Sequence, residues 1–100
     1  MNDALKSAIK RHMTAWFAEI NDEVNRNKFA KNLNVYLKTF EPEYIVICDE
    51  TNNTPETIDE NKLIIDIYEK IDEDKIYYHE FIMEPSGVSV ITANVEKDDA

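Results

Sequence analysis

Two β-rich segments joined by a short polar turn constrain the fold of this chain more than any other feature. Residues 62–70 and 75–83 are rich in isoleucine, tyrosine and phenylalanine, and the charged run 72–75 separates them. Such a pair predicts an antiparallel hairpin. The short apolar segment 44–48 predicts a further strand, which we expect to lie in the centre of the sheet, buried on both faces. Residues 88–95 have high β propensity and predict a last strand.

Helical periodicity precedes the strands. Leu5, Ile9 and Met13 recur at spacings that place them on one helix face, which predicts a helix to about Ala15. Periodicity does not decide whether residues 16–20 continue this helix or run extended. We expect Trp16 and Phe17 to lie in the core rather than to form a platform for a ligand.

A second helix is expected between residues 21 and 41. Asn21 predicts its N-cap, the acids at 22 and 23 suit the positive end of its dipole, and Pro42 is expected to stop it. The expected apolar positions are Val24, Phe29, Leu33, Tyr36, Leu37 and Phe40. The sequence therefore predicts an α+β fold, with two helices packed on a small, mostly antiparallel sheet of three to four strands. We expect residues 1–86 to form this domain and residues 87–100 to form a C-terminal strand-forming arm with an acidic tail.

The composition narrows the classes of function. The chain has 100 residues, a net charge of −10 and one glycine, so it lacks the glycine-rich motifs that cradle phosphates. An acidic surface repels nucleic acid and anionic membranes, and no apolar run is long enough for a transmembrane helix. A single cysteine, Cys48, cannot form an internal disulfide and suits a reducing cytosol.

The acidic stretch CDETNNTPETID at residues 48–59 raises the question of a metal loop. Counted from Asp49, its oxygen-bearing residues partly match a calcium-binding loop, but Thr54 and Pro55 occupy positions six and seven, where the sixth residue should be glycine. The alternative is a polar connection in which Thr54 caps a short helical turn that begins at Pro55. We expect this structural role for a set of six residues, Asp49, Asn52, Asn53, Thr54, Pro55 and Asp59.

No pattern of catalytic or cofactor-binding residues stands out. The acids Asp49, Glu50, Asp59 and Asp66 could pair, but in so acidic a chain their spacing carries little information. His12, His79 and Cys48 lie on three different elements without metal-ligand spacing. We expect His12 to be solvated and His79 to face a neighbouring strand. We therefore expect no enzyme activity, no metal and no cofactor.

Two runs of the chain carry a resemblance to a known family. The runs INDEVNRNKFAKNLNVYLKTF and EYIVICDETNNTPETIDENKLIIDIYEKIDEDKIYYHEFIMEPSGVSV resemble the C-terminal domain of contractile phage tail sheath proteins. The similar features include a signature of the form V-C-D-E-T-N-N-T-P-x-x-I-D and a later strand that ends near G-V-S. The resemblance covers residues 5–92 and implies that residues 16–20 run extended.

The resemblance implies a structural role in the virion. Sheath subunits surround the tail tube and add terminal strands to the sheets of their neighbours, so the expected partners are copies of this chain, other sheath subunits, and tube or tail-end proteins. β-Strand addition requires an exposed sheet edge. The expected interface residues all lie in the last predicted strand: Gly87, Val88, Val90, Ile91, Thr92 and Val95.

Three readings stay open within the family resemblance: a fragment, a small free-standing sheath paralogue, and a cap, terminator or joining protein at one end of the tail. Sheath proteins carry larger N-terminal domains and an N-terminal arm that do not match this chain. A different class, an acidic binding or inhibitor module that mimics DNA, is the alternative outside the family.

Overall fold

In the computed structural model, two helices lie on one face of a four-stranded antiparallel sheet, which confirms the α+β prediction. The structure describes residues 1–15 and 21–96. The expected extended run at 16–20 lies outside the described residues, as does the environment of Trp16 and Phe17. The elements in chain order are α1 (Asp3–Ala15), α2 (Glu23–Leu37), β1 (Glu43–Ile47), α3 (Pro55–Asp59), β2 (Leu63–Lys70), β3 (Lys75–Glu84) and β4 (Gly87–Glu96).

Helix α1 follows the predicted periodicity. Leu5, Ile9 and Met13 are buried against the sheet, and the last two have no exposed surface. The Asn2 side chain accepts a hydrogen bond from the backbone N–H of Leu5 at 2.8 Å, which satisfies one of the unpaired donors at the helix start. Within the described residues, α1 covers Asp3–Ala15, the segment in which the apolar pattern predicts a helix.

Helix α2 is capped by Asp22, so the prediction of Asn21 as the cap was wrong. The Asp22 carboxylate accepts from the backbone N–H of Asn25 at 2.8 Å. The Asn21 side chain turns instead toward the loop before β2. The buried face carries Phe29, Leu33 and Leu37, whereas two residues expected on it, Val24 and Phe40, are 61% and 39% exposed.

The sheet is a meander with strand order β1-β2-β3-β4, in which every neighbouring pair is antiparallel. The expected hairpin corresponds to β2 and β3. The prediction that 44–48 forms a central strand was wrong, because β1 lies at one edge and Ile45 is 42% exposed on it. A five-residue apolar run indicates burial against a core without indicating how many of its faces are covered.

Strand β4 pairs with β3 of its own chain along its full length, from Glu84↔Gly87 to Lys75↔Glu96. The two strands are joined by a two-residue turn, Pro85–Ser86, and Gly87 after it has a φ of 141°, which glycine adopts at little cost. In this structure, β4 is therefore the fourth strand of the same sheet. The division of the chain at residue 86 stays a prediction.

The alternation of side chains gives the sheet an inner face, which the helices cover, and an outer face, which they do not. On β2, Leu63, Ile65 and Ile67 face inward and are buried, while the residues between them are only half-buried. On β3, Phe81 is fully buried at the centre of the core. Val46, Val88 and Val90 extend the inner face to both edge strands.

Candidate assembly surface and the polar network behind it

The outer edge of β4 is the candidate assembly surface. The strand order ends at β4, so among the described residues no strand pairs with its second side. This edge is ten residues long, whereas the opposite edge, on β1, is five residues long. All six residues expected at a subunit interface lie on β4.

The hairpin turn determines which backbone groups face outward. Residues that flank a two-residue turn form a hydrogen-bonded pair, and bonded and non-bonded pairs alternate along an antiparallel ladder. Gly87 and Ile91 therefore direct their N–H groups toward β3. Val88, Val90 and Thr92 direct theirs toward the open edge, where a further strand can pair with them.

The side chains of these residues point in two directions. Val88 and Val90 are half-buried against the core, and Ile91, on the outer face, is 57% exposed. The Thr92 hydroxyl lies 2.9 Å from Nδ1 of His79. Val88, Val90, Ile91 and Thr92 thus share a backbone edge, but their side chains do not form a single patch.

Behind β4, a buried polar network joins all four strands. Glu69 on β2 and His79 on β3 are 2% and 1% exposed, and Oε1 of Glu69 lies 3.1 Å from Nε2 of His79. The second oxygen of Glu69 accepts from the Tyr44 hydroxyl of β1 at 3.0 Å, and Thr92 completes the series on β4. The backbone nitrogen of Met1 also lies 2.7 Å from Glu69.

The ionisation states in this network follow from burial and hydrogen bonding. Burial raises the pKa of Glu69, but hydrogen bonds from Met1, His79 and Tyr44 outweigh it and hold that pKa below its ordinary value. Burial lowers the pKa of His79 despite the opposing effect of Glu69, so its neutral form is favoured. Burial and the Glu69 carboxylate together raise the pKa of Tyr44 to about 12.

A single arrangement of protons satisfies the neutral imidazole. A carboxylate only accepts, so Nε2 of His79 carries the proton, and Nδ1 accepts from the Thr92 hydroxyl. Hydroxyl, imidazole and carboxylate also occur together in serine hydrolases. Here, however, the imidazole is 1% exposed, so it cannot reach a leaving group, and we interpret the network as a link between strands.

The stretch at residues 48–59 forms a hydrogen-bonded connection between β1 and β2. Asn53 is 2% exposed, and its side chain bonds both backbone groups of Ile64: Oδ1 accepts from the N–H, and Nδ2 donates to the carbonyl, each at 2.9 Å. Asn21 adds a hydrogen bond to Oδ1 of Asn53 at 3.1 Å. The amide of Asn53 therefore acts as a short piece of strand beside the start of β2.

The remaining loop residues fix the shape of this connection. Asn52 donates to the Ile47 carbonyl at 2.8 Å and to the Asp66 carboxylate at 3.0 Å. Hydrogen bonds from Thr51 hold the pKa of Asp49 below its ordinary value. Thr54 caps α3, which begins at Pro55, so the predicted helical turn is confirmed.

These contacts favour a structural loop over a calcium loop. To bind calcium, Asn53 would have to point its side-chain oxygen toward the centre of the loop. That oxygen instead accepts a hydrogen bond from the backbone N–H of Ile64. Glu60, the residue at position twelve of such a loop, is exposed and forms an ion pair with Lys62 at 2.9 Å. Across residues 1–15 and 21–96, no group of three acidic, histidine or cysteine side chains could hold a metal ion.

Three residues considered for metal binding lie in separate environments. His12, which was expected to be solvated, is half-buried, and its ring centroid lies 4.9 Å from that of Tyr36, so it is solvated only in part. Cys48 is buried, and burial raises the pKa of its thiol to about 12.

No helix in the described part of the chain is long and apolar enough to cross a membrane.

Sequence reasoning missed Glu69 as a functional neighbour of His79. The sequence contains the signal, because every second residue of a strand lies on the same face. Glu69 continues the series of the buried Leu63, Ile65 and Ile67, and His79 lies two residues before the buried Phe81. Both therefore had to point into the core, where charged groups need partners.

Comparison with known proteins gives one informative similarity. No known protein family and no solved structure matches the chain. Over 71 residues, the chain is 35% identical to the tail sheath protein of Vibrio phage KVP40. The match covers 66% of this chain and 11% of that relative, so the chain spans about a tenth of the relative's length. This similarity relates the chain to a phage tail sheath protein.

Proposed function

We propose that this protein is a structural component of a contractile phage tail and assembles by β-strand augmentation at the outer edge of β4. It corresponds to the C-terminal domain of a sheath subunit, assembles in the host cytoplasm and stays in the virion around the tail tube. Its neighbours are copies of itself, other sheath subunits, and tube or tail-end proteins. The observation that carries the proposal is the ten-residue outer edge of β4, with which no described strand pairs, in a chain similar to a tail sheath protein.

The open edge of β4 presents backbone N–H and C=O groups that another strand can pair with. It has few of the features that normally prevent such pairing. Natural edge strands are protected by charges, prolines, bulges or short length. From Gly87 to Val95 the strand has no charged residue and no proline. Each added backbone hydrogen bond contributes about 1 kcal/mol net, so pairing along most of the strand supplies several kcal/mol before side chains are counted.

The first experiment measures the mass of the protein in solution by light scattering. We expect rings or polymers, and we expect the variant Asn94→Pro to lose them, because it removes an N–H that points to the open edge. Proline is tolerated on edge strands where its nitrogen faces solvent. The matched control Asn94→Ala keeps the N–H and should assemble like the unmodified chain.

Circular dichroism checks that Asn94→Pro remains folded. A folded Asn94→Pro variant that assembles as well as Asn94→Ala would contradict augmentation at this edge. An unmodified chain that stays monomeric at all concentrations would contradict self-assembly.

A second experiment separates two ways in which β4 can take part. In the double variant Ile82→Cys, Ser89→Cys, the two substituted positions are register partners on the outer face, so a disulfide between them locks β4 to its own β3. Cys48 does not compete, because it is buried and burial raises the pKa of its thiol to about 12.

Assembly that survives oxidation shows that β4 accepts a strand while it stays in its own sheet. Assembly that is lost on oxidation and restored by reductant shows that β4 leaves its hairpin and is donated to a neighbour. A truncation after Ser86 is a poorer test, because it also removes Val88 and Val90 from the core.

A further inference from the structure

The outer face of the sheet is an apolar surface with two carboxylates at its centre. Across the four strands, the middle row reads Ile47, Asp66, Glu80, Ile91, from β1 to β4. An isoleucine therefore lies on each side of the acidic pair. The row on one side is Ile45, Tyr68, Tyr78 and Ala93, and the row on the other side contains Ile64, Ile82 and Ser89.

Among the described residues, the two central carboxylates share two side-chain donors, Tyr78 and Asn52. The Tyr78 hydroxyl lies 2.6 Å from Asp66 and 2.9 Å from Glu80, and Asn52 donates to Asp66 at 3.0 Å. A hydroxyl has one proton, so Tyr78 can donate to only one of the two acids at a time. Among the described residues, neither carboxylate forms an ion pair.

This arrangement is unfavourable in the isolated chain. Like charges directly opposite each other on neighbouring strands destabilise a sheet. Asp66 and Glu80 are half-buried beside isoleucine and tyrosine side chains, and partial burial together with the two acids raises the pKa of Tyr78. A cation placed between the acids would relieve the repulsion and would be bound in apolar surroundings, where charge attraction is stronger than in water.

A second copy of this chain does not supply an arginine that fits between the two acids. Two outer faces packed on each other would bring four carboxylates together. The chain has two arginines: Arg26 is 7% exposed and donates to the Asn21 side chain, and Arg11 lies on the surface of α1 between the exposed Ser7 and Thr14. That helix surface is polar and does not complement an apolar face.

We propose that the outer face docks an apolar segment of a different protein, which inserts an arginine between Asp66 and Glu80. A guanidinium group suits this position because its fork of donors can bond both carboxylates at once and its flat surface can stack on Tyr68 or Tyr78. Ile47 and Ile91 then contact apolar side chains on either side of the arginine. This surface is separate from the backbone edge of β4, so both can be occupied together.

The test uses a defined probe, the peptide acetyl-Ile-Val-Arg-Val-Ile-amide, titrated into the isotope-labelled protein and followed by NMR. The matched probe replaces arginine with citrulline, which has nearly the same shape and no charge. We expect saturable shifts centred on Asp66, Glu80 and Ile91 with the arginine peptide, and affinity at least about tenfold weaker with the citrulline peptide.

Two charge-neutralising variants locate the interaction. Glu80→Gln keeps an oxygen that can accept from Tyr78, and it should weaken binding of the arginine peptide about tenfold. Glu73→Gln makes the same change in net charge on the exposed β2–β3 turn and should leave binding unchanged.

Three results would overturn the proposal: equal binding of the two peptides, equal weakening by the two variants, or shifts confined to the helices or the β4 edge. Repeating the titration with Asn94→Pro keeps the two proposals apart. That variant blocks the β4 edge, and it should bind the arginine peptide normally whether or not the protein assembles through β4.

Discussion

Replacing Asn53 with alanine is expected to destabilise the protein more than any other single change in the loop between β1 and β2. Strand β1 ends at Ile47, which pairs with Asp66 of β2. Continuing that register would place residue 49 opposite Ile64, but the chain turns away there. The amide of Asn53 takes the vacant position and bonds both backbone groups of Ile64 at 2.9 Å.

The expected loss in the free energy of unfolding follows from the backbone groups of Ile64 that lose their hydrogen-bond partner. Each of the two hydrogen bonds to Ile64 contributes about 1 kcal/mol, and a buried backbone group left unpaired adds about 1 kcal/mol or more. Because Asn53 is 2% exposed, its removal leaves little access for water. We therefore expect the free energy of unfolding to fall by about 3 kcal/mol. Asn53→Asp should cost at least as much, since its second oxygen would face the Ile64 carbonyl.

The assay is urea unfolding followed by far-UV circular dichroism. With an m value of about 1.5 kcal/mol/M, a loss of this size lowers the unfolding midpoint by about 2 M. Asn27→Ala, on the exposed surface of α2, is the matched control and should stay within about 0.5 kcal/mol of the unmodified protein. If Asn53→Ala behaves like this control, water or a backbone shift satisfies Ile64, and the assigned role of Asn53 is wrong.

Three further predictions concern a cap, a titration and a thiol. Asp22→Ala should cost about 1 kcal/mol in urea unfolding because it removes the N-cap of α2, whereas Asp22→Asn keeps the acceptor and should cost less. Because burial lowers the pKa of His79 in the folded protein, the unfolded chain binds its proton more readily. Stability from this residue is therefore complete above about pH 6.5 and lost as the pH falls below it, by at most about 1.4 kcal/mol per unit, and His79→Gln should flatten that part of the profile. The lowered pKa of Glu69 adds a second loss below about pH 4.5. Iodoacetamide should modify Cys48 only when urea is present, because the thiol is buried and burial raises its pKa to about 12; rapid labelling of the native protein would contradict this.

Local patterns in the sequence predicted the elements better than their arrangement. The periodicity of Leu5, Ile9 and Met13 and the cap at Thr54 depend on neighbours within one turn of helix, so the sequence contains the whole signal. The position of β1 depends on which strands pair, and an apolar run such as 44–48 looks the same in the centre and at the edge of a sheet.

The polar network was predictable in part. Strand parity directs Glu69 and His79 toward the helices, and a buried acid must find partners. That these partners are Tyr44 and Thr92 depends on the register between strands, which is set by the turns and by packing along the whole sheet. For the same reason, the sequence did not predict that Asp66 and Glu80 lie opposite each other on the outer face, because this also depends on the register between strands.

The meander order also bears on how the chain reaches this fold. Strands β2, β3 and β4 are joined by short turns and pair in chain order, and such local pairing favours rapid folding. During synthesis, β3 is complete before β4 and presents its own unpaired edge in the interval. The two-residue turn at Pro85–Ser86 keeps β4 close to that edge, so the exposed state, which is the one prone to aggregate, is short-lived.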